Sequence, residues 1–389
     1  MNGQCASVHR KGKFAPEVVF GAAEELRSAT GGTSLLAFAF VSPDYLKHVE
    51  EFSEIIRVDG HVIDLVGVTG ARPTADGEEG EAGFSLVALN GAFARFQIFS
   101  FDQSMLEESS GAGFWKTRCE DLKPSAWISL ANPFVFDAES WLGEWNDDWP
   151  GVPTVGGLAG GTGDGENVGV FHNARVVEAL VVSVDGLRVM PVVSQGCRPI
   201  GEPLTVTRAD SNVVYSLGAC PAYEALETAF EALSDGEKAT AKGNLFAGLA
   251  GTEYVDDFKP GDFLIRNILG ADPNSGAVVI GGIPRVGQTL QYQLRDKSSA
   301  DAEWRAVLRH AAAESGRAPL ASLLFACSGR GSHLFDSKSH DAGLLEEILG
   351  GHASAGFFCN GEIGPLGDRN YIHTYSVVAA LFFDREEEL

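Results

Sequence analysis

The sequence predicts an α/β (α+β) fold in which duplicated β-α-β-loop-β modules form mixed sheets flanked by helices. Three observations predict it. The order strand, helix, strand, glycine-rich loop, strand is read three times along the chain. The strings VGVTGA, VGGLAGG and GFFCNGEIG stand at the same step of each unit. Their spacing is too long for a short-period solenoid and fits an internally duplicated domain.

The chain opens with an amphipathic helix over Pro16–Ala29, with Pro16 near its first turn, Val18, Val19, Ala22, Ala23 and Leu26 on one side, and Gly31-Gly32 closing it. Leu35–Val41 reads as a strand, Asp44–Ile56 as a helix after Ser42-Pro43, and Val62–Val68 as a second strand. Thr69–Gly83 is then a loop rich in glycine and acid, and Phe84–Leu89 resumes as a strand. In the second unit Ala126–Ala131, Asp137–Trp145 and Val152–Val155 repeat the order, before the loop Gly156–Asn167 and strands at Val168–His172 and Arg175–Val184.

A β-rich stretch follows. Leu187–Val193 is strand-like, Ser194–Pro203 is polar and turn-rich, and Leu204–Arg208 with Val213–Leu217 makes a hairpin around Asp210-Ser211-Asn212. Ala222–Leu233 is a helix, and the polar run Ser234–Lys242 is read as a linker. Phe263–Leu269 and Ala277–Ile280 flank a turn, Thr289–Leu294 is a strand, and Ser298–Glu314 is a long helix. The expected domain boundary lies near Gly218, which gives domains 1–218 and 219–389.

The third unit holds the residues with the most chemistry. Ala321–Ala326 suits a buried strand that stops at Cys327-Ser328-Gly329-Arg330-Gly331-Ser332. A helix follows, with Asp341 as its expected N-cap and Leu344, Leu345, Ile348 and Leu349 on one face. Ala355–Cys359 is the second strand. It runs into Asn360-Gly361-Glu362-Ile363-Gly364-Pro365, and Tyr371–Phe383 reads as one long closing strand. If the two strands are parallel, both loops emerge at one sheet edge and bring Arg330 near Glu362. A fixed cation and a fixed anion beside backbone N–H groups suit a small zwitterion such as an amino acid. The alternative is that Arg330 and Glu362 simply pair with each other and hold the loops shut.

Composition bounds the function class. The chain has 389 residues, 44% of them hydrophobic, and no apolar run long enough to span a membrane, so a cytoplasmic protein without membrane insertion is expected. Acidic residues outnumber lysine and arginine by 53 to 29, a formal charge of −24, which disfavours nucleic acid. The basic start of the chain has no apolar segment after it of the kind a secretion signal needs. Six scattered cysteines with no C-x-x-C pair read as reduced thiols, and metal ligation lacks chelate spacing. Phosphate-loop, zinc-protease and nucleophile-elbow motifs are absent, so the chain is expected not to be an enzyme. The enzyme alternative is a hydrolase or transferase using Cys327 or Ser328: the thiol has His333 or His373 as its available base, and Ser328 has no evident one.

Several strings together resemble the FIST family. They are Ser194-Gln195-Gly196-Cys197-Arg198-Pro199-Ile200-Gly201, Val206-Thr207-Arg208-Ala209, Arg266-Asn267-Ile268, Cys327-Ser328-Gly329-Arg330-Gly331 and Asn360-Gly361-Glu362-Ile363-Gly364-Pro365. The chain departs from the family pattern after Val68, where Thr69-Gly70-Ala71-Arg72-Pro73 stands in place of a glycine-rich turn. The resemblance implies N-terminal and C-terminal FIST domains and a sensory input module for small ligands. Arg198, Arg266, Asn267, Cys327, Arg330, Asn360 and Glu362 are the expected ligand-binding residues. No cofactor is expected, with a haem-binding nitric-oxide sensor as the alternative that some members imply; His172, His333 and His373, and more weakly Cys220-Pro221, are the axial candidates. The chain closes with Asp384-Arg385-Glu386-Glu387-Glu388-Leu389, so the expected output partner is a separate signalling protein such as a kinase or cyclase.

Overall fold

In the computed structural model, which describes residues 4–91, 94–119, 122–161, 167–253, 258–259 and 261–385, the predicted unit is present three times. The first module contains the strands Ser34–Val41, Val62–Thr69 and Gly83–Leu89. The second contains Ala126–Ala131, Thr154–Leu158 and Ala179–Asp185. The third contains Ala321–Cys327, Ala353–Cys359 and Val377–Asp384. In each, the first and second strands pair parallel across a helical crossover, and the third strand lies antiparallel on the other side of the first.

The kindred strings of the sequence fall at one structural step. Gly67, Gly156 and Gly356 pair across the parallel ladder with Ala39, Ser129 and Leu324. A Cβ on Gly156 or Gly356 would stand 1.8 or 1.9 Å from the neighbouring strand's carbonyl oxygen, and one on Gly67 would strike the Phe171 ring at 2.1 Å.

Each glycine-rich loop after a second strand folds into a short hairpin, and that hairpin joins a different module's sheet. The first module's hairpin, Pro73–Ala75 with Glu78–Glu79, pairs with the third module's Ala353–Cys359. The second module's hairpin, Val170–His172 with Arg175–Val177, pairs with the first module's Val62–Thr69. The third module's hairpin, Glu362–Leu366 with Arg369–His373, pairs with the second module's Thr154–Leu158. The exchange therefore runs in a closed cycle.

Three differences from the sequence reading follow from it. The expected loop Thr69–Gly83 contains a hairpin. Arg175–Val184 is two strands, Arg175–Val177 and Ala179–Asp185, because each half pairs with a different sheet. Tyr371–Phe383 likewise breaks into Arg369–His373 and Val377–Asp384, with Tyr375 between them at φ +62°. Of the expected loop Gly156–Asn167, the start is strand and residues 162–166 lie outside the described residues.

The three sheets share one apolar core. Alternate residues of every first strand point into it: Leu36, Phe38 and Phe40, then Ala126, Ile128 and Leu130, then Ala321, Leu323 and Phe325. Phe40, Phe325 and Phe357 pack ring on ring with centroids 5.3–6.2 Å apart. The outer faces carry helices. Pro16–Thr30 and Val49–Val58 cover the first sheet, and Ala138–Asp148 covers the second with Trp141 and Trp145. His340–Leu349 covers the third with Leu344 and Leu345.

Residues Ser194–Glu303 form a second compact unit; the modules make up Met1–Val193 with Trp304–Leu389. In the second unit six strands close an antiparallel barrel in the order Thr289–Arg295, Leu204–Asp210, Val213–Leu217, Ala277–Ile280, Phe263–Asp272 and Leu245–Ala250, with the last pairing back to the first. Closure leaves these strands without open edges. The expected division at Gly218 falls inside this barrel, because strands on either side of it are hydrogen-bonded into the same sheet. The expected linker Ser234–Lys242 is a helix, Asp235–Ala241, started by a capping box between Ser234 and Glu237.

Candidate functional site

The parallel pairing of Ala321–Cys327 with Ala353–Cys359 brings both loops of the third module out at one edge, as the sequence predicts. Arg330 and Asp341 are completely buried there. Arg330 Nε donates to Asp341 Oδ2 at 2.7 Å and Nη2 to Oδ1 at 2.8 Å. Its guanidinium also stands 5.3 Å from the Phe335 ring centroid. Burial alone would raise the Asp341 carboxyl, but the Arg330 charge and its hydrogen bonds, with His340, hold it down at about 2.

This pairing corrects two expectations. Arg330 does not present an empty fork to a crevice, because the Asp341 carboxylate fills it bidentately. Asp341 does not cap its helix, since it stands inside His340–Leu349. The capping role passes to Glu79 of the first module's hairpin, whose Oε1 accepts from the backbone N–H groups of Asp341 at 2.7 Å and Ala342 at 3.4 Å.

Glu362 is also fully buried, and its partners are local. Oε2 accepts from the Ser376 hydroxyl at 2.6 Å and the Ser376 backbone N–H at 3.2 Å, and Oε1 accepts from Cys359 Sγ at 3.2 Å. Burial raises its carboxyl to about 7 against these hydrogen bonds and the Arg330 charge. Arg330 is thus close enough to act on Glu362 electrostatically, while its ion pair is with Asp341. Cys327 is half-buried at the last rung of the ladder. Asn360 is exposed beside Gly160.

The other three expected residues belong to the barrel unit. Arg198 pairs with Glu237, and its Nε lies 3.4 Å from Asp296 Oδ2, so surface carboxylates already engage its fork. Arg266 is buried, with Nη1 donating to the Ile265 carbonyl at 3.4 Å. Asn267 is half-buried in the same strand, opposite Phe246. The histidines considered for haem have protein partners where these are described: His172 Nε2 lies 3.3 Å from Asp64, and the buried His373 places Nε2 3.0 Å from the Gly364 carbonyl. His333 is exposed.

A cavity of about 370 Å³ opens where the first module's hairpin meets the Cys327–Ser332 loop. Arg72, Glu79, Ser332 and Ser339 line it, with Lys11 and Lys338 among the other lining residues. Arg72 lies over the Phe358 ring at 4.2 Å, and its Nη1 donates to Ser332 Oγ at 3.2 Å. Glu79 is half-buried; its desolvation and the Asp341 charge raise its carboxyl, while the backbone N–H groups of Asp341 and Ala342 and then Arg72 act to lower it. Between the two charges stands Gly331 at φ +60°. A Cβ there would be 3.1 Å from both Arg72 Nη2 and Glu79 Oε2 and 2.8 Å from the Phe358 ring. The fold thus provides a cation and an anion on either side of a bare stretch of backbone.

The sequence placed such a pair at Arg330 and Glu362; the cavity instead offers Arg72 and Glu79. A signal for them was present in the departure Thr69-Gly70-Ala71-Arg72-Pro73 and the acidic run behind it. What no local pattern carries is that this hairpin docks on the third module's sheet.

Comparison with known sequences decides the family. Residues 35–219 match the FIST N domain and residues 222–365 the FIST C domain. The chain belongs to the FIST family. FIST domains are sensory signal-transduction modules. A relative from Mycobacterium bovis, an uncharacterized protein, is 35% identical over 345 residues, covering 87% of this chain and 89% of its own. Another from Mycobacterium tuberculosis is 33% identical over 376 residues, covering 95% and 98%. Among the described residues of this FIST protein, no helix is long and apolar enough to cross a membrane.

Proposed function

We propose that this FIST protein is a cytoplasmic sensor that binds a small zwitterion of the amino-acid class in the cavity between Arg72 and Glu79, and passes the signal to a separate output protein such as a kinase or cyclase. The observation that carries the reading is that Arg72 and Glu79, a cation and an anion, line one cavity together with Ser332 and Ser339. Arg72 would take the ligand carboxylate and Glu79 Oε2 its ammonium, with the Ser332 hydroxyl beside them. The cavity lies within the size range of small-molecule sites, about 300–1,000 Å³.

In this reading Arg330, held by Asp341, is a positioning residue that fixes the loop carrying Gly331 and Ser332. Glu362 and Ser376 similarly brace the loop after the second strand, and Cys327 and Asn360 stand at its edge. Glu79 gives the route outward: its other oxygen caps His340–Leu349, so a ligand bound to Glu79 bears directly on the start of that helix.

A thermal-shift screen of amino acids and small acids tests this. A ligand at about 100 times its Kd stabilises the native state by ~2.7 kcal/mol, and Arg72→Ala weakens its binding by ~1.5–3 kcal/mol. Absence of any stabilising amino acid, or an undiminished shift in Arg72→Ala, overturns the assignment.

A further inference from the structure

Cys327 and Cys359 are register partners at the final rung of a parallel strand pair. Their side chains leave the sheet on the same face. Neighbouring strands lie about 4.8 Å apart, inside the Cα separation of about 4.4–6.8 Å that a disulfide spans. The other four cysteines, Cys5, Cys119, Cys197 and Cys220, are scattered over separate parts of the chain.

The two thiols differ in setting. Cys327 is half-buried, and its sulfur accepts the Gly329 backbone N–H at 3.4 Å. Cys359 is fully buried and donates toward Glu362 Oε1 at 3.2 Å and the Ala326 carbonyl at 3.4 Å. A buried thiol is ordinarily inert. Burial and the neighbouring Glu362 carboxylate push this thiol well up, so it stays protonated until an oxidised sulfur stands opposite it, and Glu362 Oε1 is the acceptor placed to take its proton as a new S–S bond forms.

We propose that Cys327 and Cys359 form a peroxide-reactive dithiol, with Glu362 as the base for the buried thiol. Cys327 thiolate attacks one oxygen of a hydroperoxide; the O–O bond breaks, water or an alcohol leaves, and Cys327 becomes a sulfenic acid. Cys359 then attacks the Cys327 sulfur and its proton passes to Glu362; the sulfenic hydroxyl leaves as water with a proton from solvent, and Glu362 returns its own proton to solvent. Overall two thiols and one hydroperoxide give one disulfide, one water and one water or alcohol. None of these three residues lines the zwitterion cavity, and a disulfide forms or fails to form whether or not a ligand binds there.

The test treats the full chain with hydrogen peroxide and maps its peptides. The expected product carries a Cys327–Cys359 bridge, lighter by two hydrogens, that dithiothreitol reverses. In Cys327→Ser, Cys359 stays a thiol over the same time. Glu362→Gln slows bridge formation roughly tenfold, while trapping of the Cys327 sulfenic acid by dimedone keeps its rate. A bridge absent from the treated wild type, or Cys359 oxidised equally fast in Cys327→Ser, overturns the proposal. If Glu362→Gln does not fold, those first two arms still decide it.

Discussion

Glu79 and Asp341 meet although 262 positions separate them: a carboxylate oxygen from one module's hairpin accepts the first free N–H groups of another module's helix. Side-chain acceptors at a helix start contribute roughly 0.5–2 kcal/mol. Glu79→Ala is expected to lower stability by that amount in chemical denaturation and to remove the thermal shift given by any zwitterion. Glu79→Gln keeps an acceptor for the cap while removing the charge, so it should retain most of the stability and still lose the shift.

A guanidinium open to a ligand, as expected for Arg330 from the sequence, would be dispensable to the fold. The buried pair reverses that expectation, because removing one partner strands the other's charge without water. Arg330→Ala is expected to cost about 3–5 kcal/mol in denaturant unfolding at neutral pH. The pair also sets a pH dependence. Asp341 is held in the fold at about 2, below its unfolded value, so its contribution is present above roughly pH 4 and is lost as pH falls through 2. Asp341→Asn should flatten this part of the acid titration of stability.

Gly331 occupies a left-handed backbone conformation with no room for a side chain. Gly331→Ala is expected to cost about 1–3 kcal/mol and to push Arg72 and Glu79 apart. Equilibrium unfolding reads the first effect and loss of ligand-induced stabilisation the second. Gly316, also at positive φ but with open space around it, is the control: its Ala variant should show backbone strain without the ligand effect.

His352 reports acid stability from the opposite end of the same sheet. Its Nδ1 lies 2.9 Å from the Gly350 carbonyl and must donate to it, so Nε2 accepts the Ser322 hydroxyl at 2.9 Å. Burial lowers its pKa below the unfolded value of about 6.5. As pH drops the unfolded chain takes the proton first, so this contribution declines from about pH 6.5 downward. Glu362 has the opposite sign: raised to about 7, it favours the fold at low pH and loses that advantage as pH rises toward 7. The informative quantity is therefore the difference between wild type and His352→Asn, where the wild type should lose more stability than the variant between pH 7 and 5.

The three modules were legible because each depends on local signals: apolar runs, helix periodicity and a glycine at a fixed step. Parallel strands in the third module placed Cys327, Arg330 and Glu362 at one edge, as expected. The hairpins Pro73–Glu79 and Glu362–His373 were not legible as exchanged elements, because their hydrogen-bonding partners lie far away in sequence and nothing in Glu78 or Arg369 names them. The sequence places Arg330 beside Glu362, the two facing one ligand, because both flank the same strands. Asp341 was read as a cap from its place before an apolar helix, and an arginine fork gains more from it than from a carboxylate already claimed by Ser376. The barrel was missed as a unit since its closing pair joins Leu245–Ala250 to Thr289–Arg295, a contact that periodicity does not reveal.

The cyclic loan of hairpins also has a consequence for dissection. Cutting the chain after Val193 would leave the hairpin Pro73–Glu79 without its host strand and the host Thr154–Leu158 without its guest, exposing ladder groups at two places at once. The stretch recognised by sequence as the FIST N domain is therefore an evolutionary paragraph rather than an autonomous folding body, and soluble fragments should be sought by excising Ser194–Glu303 instead.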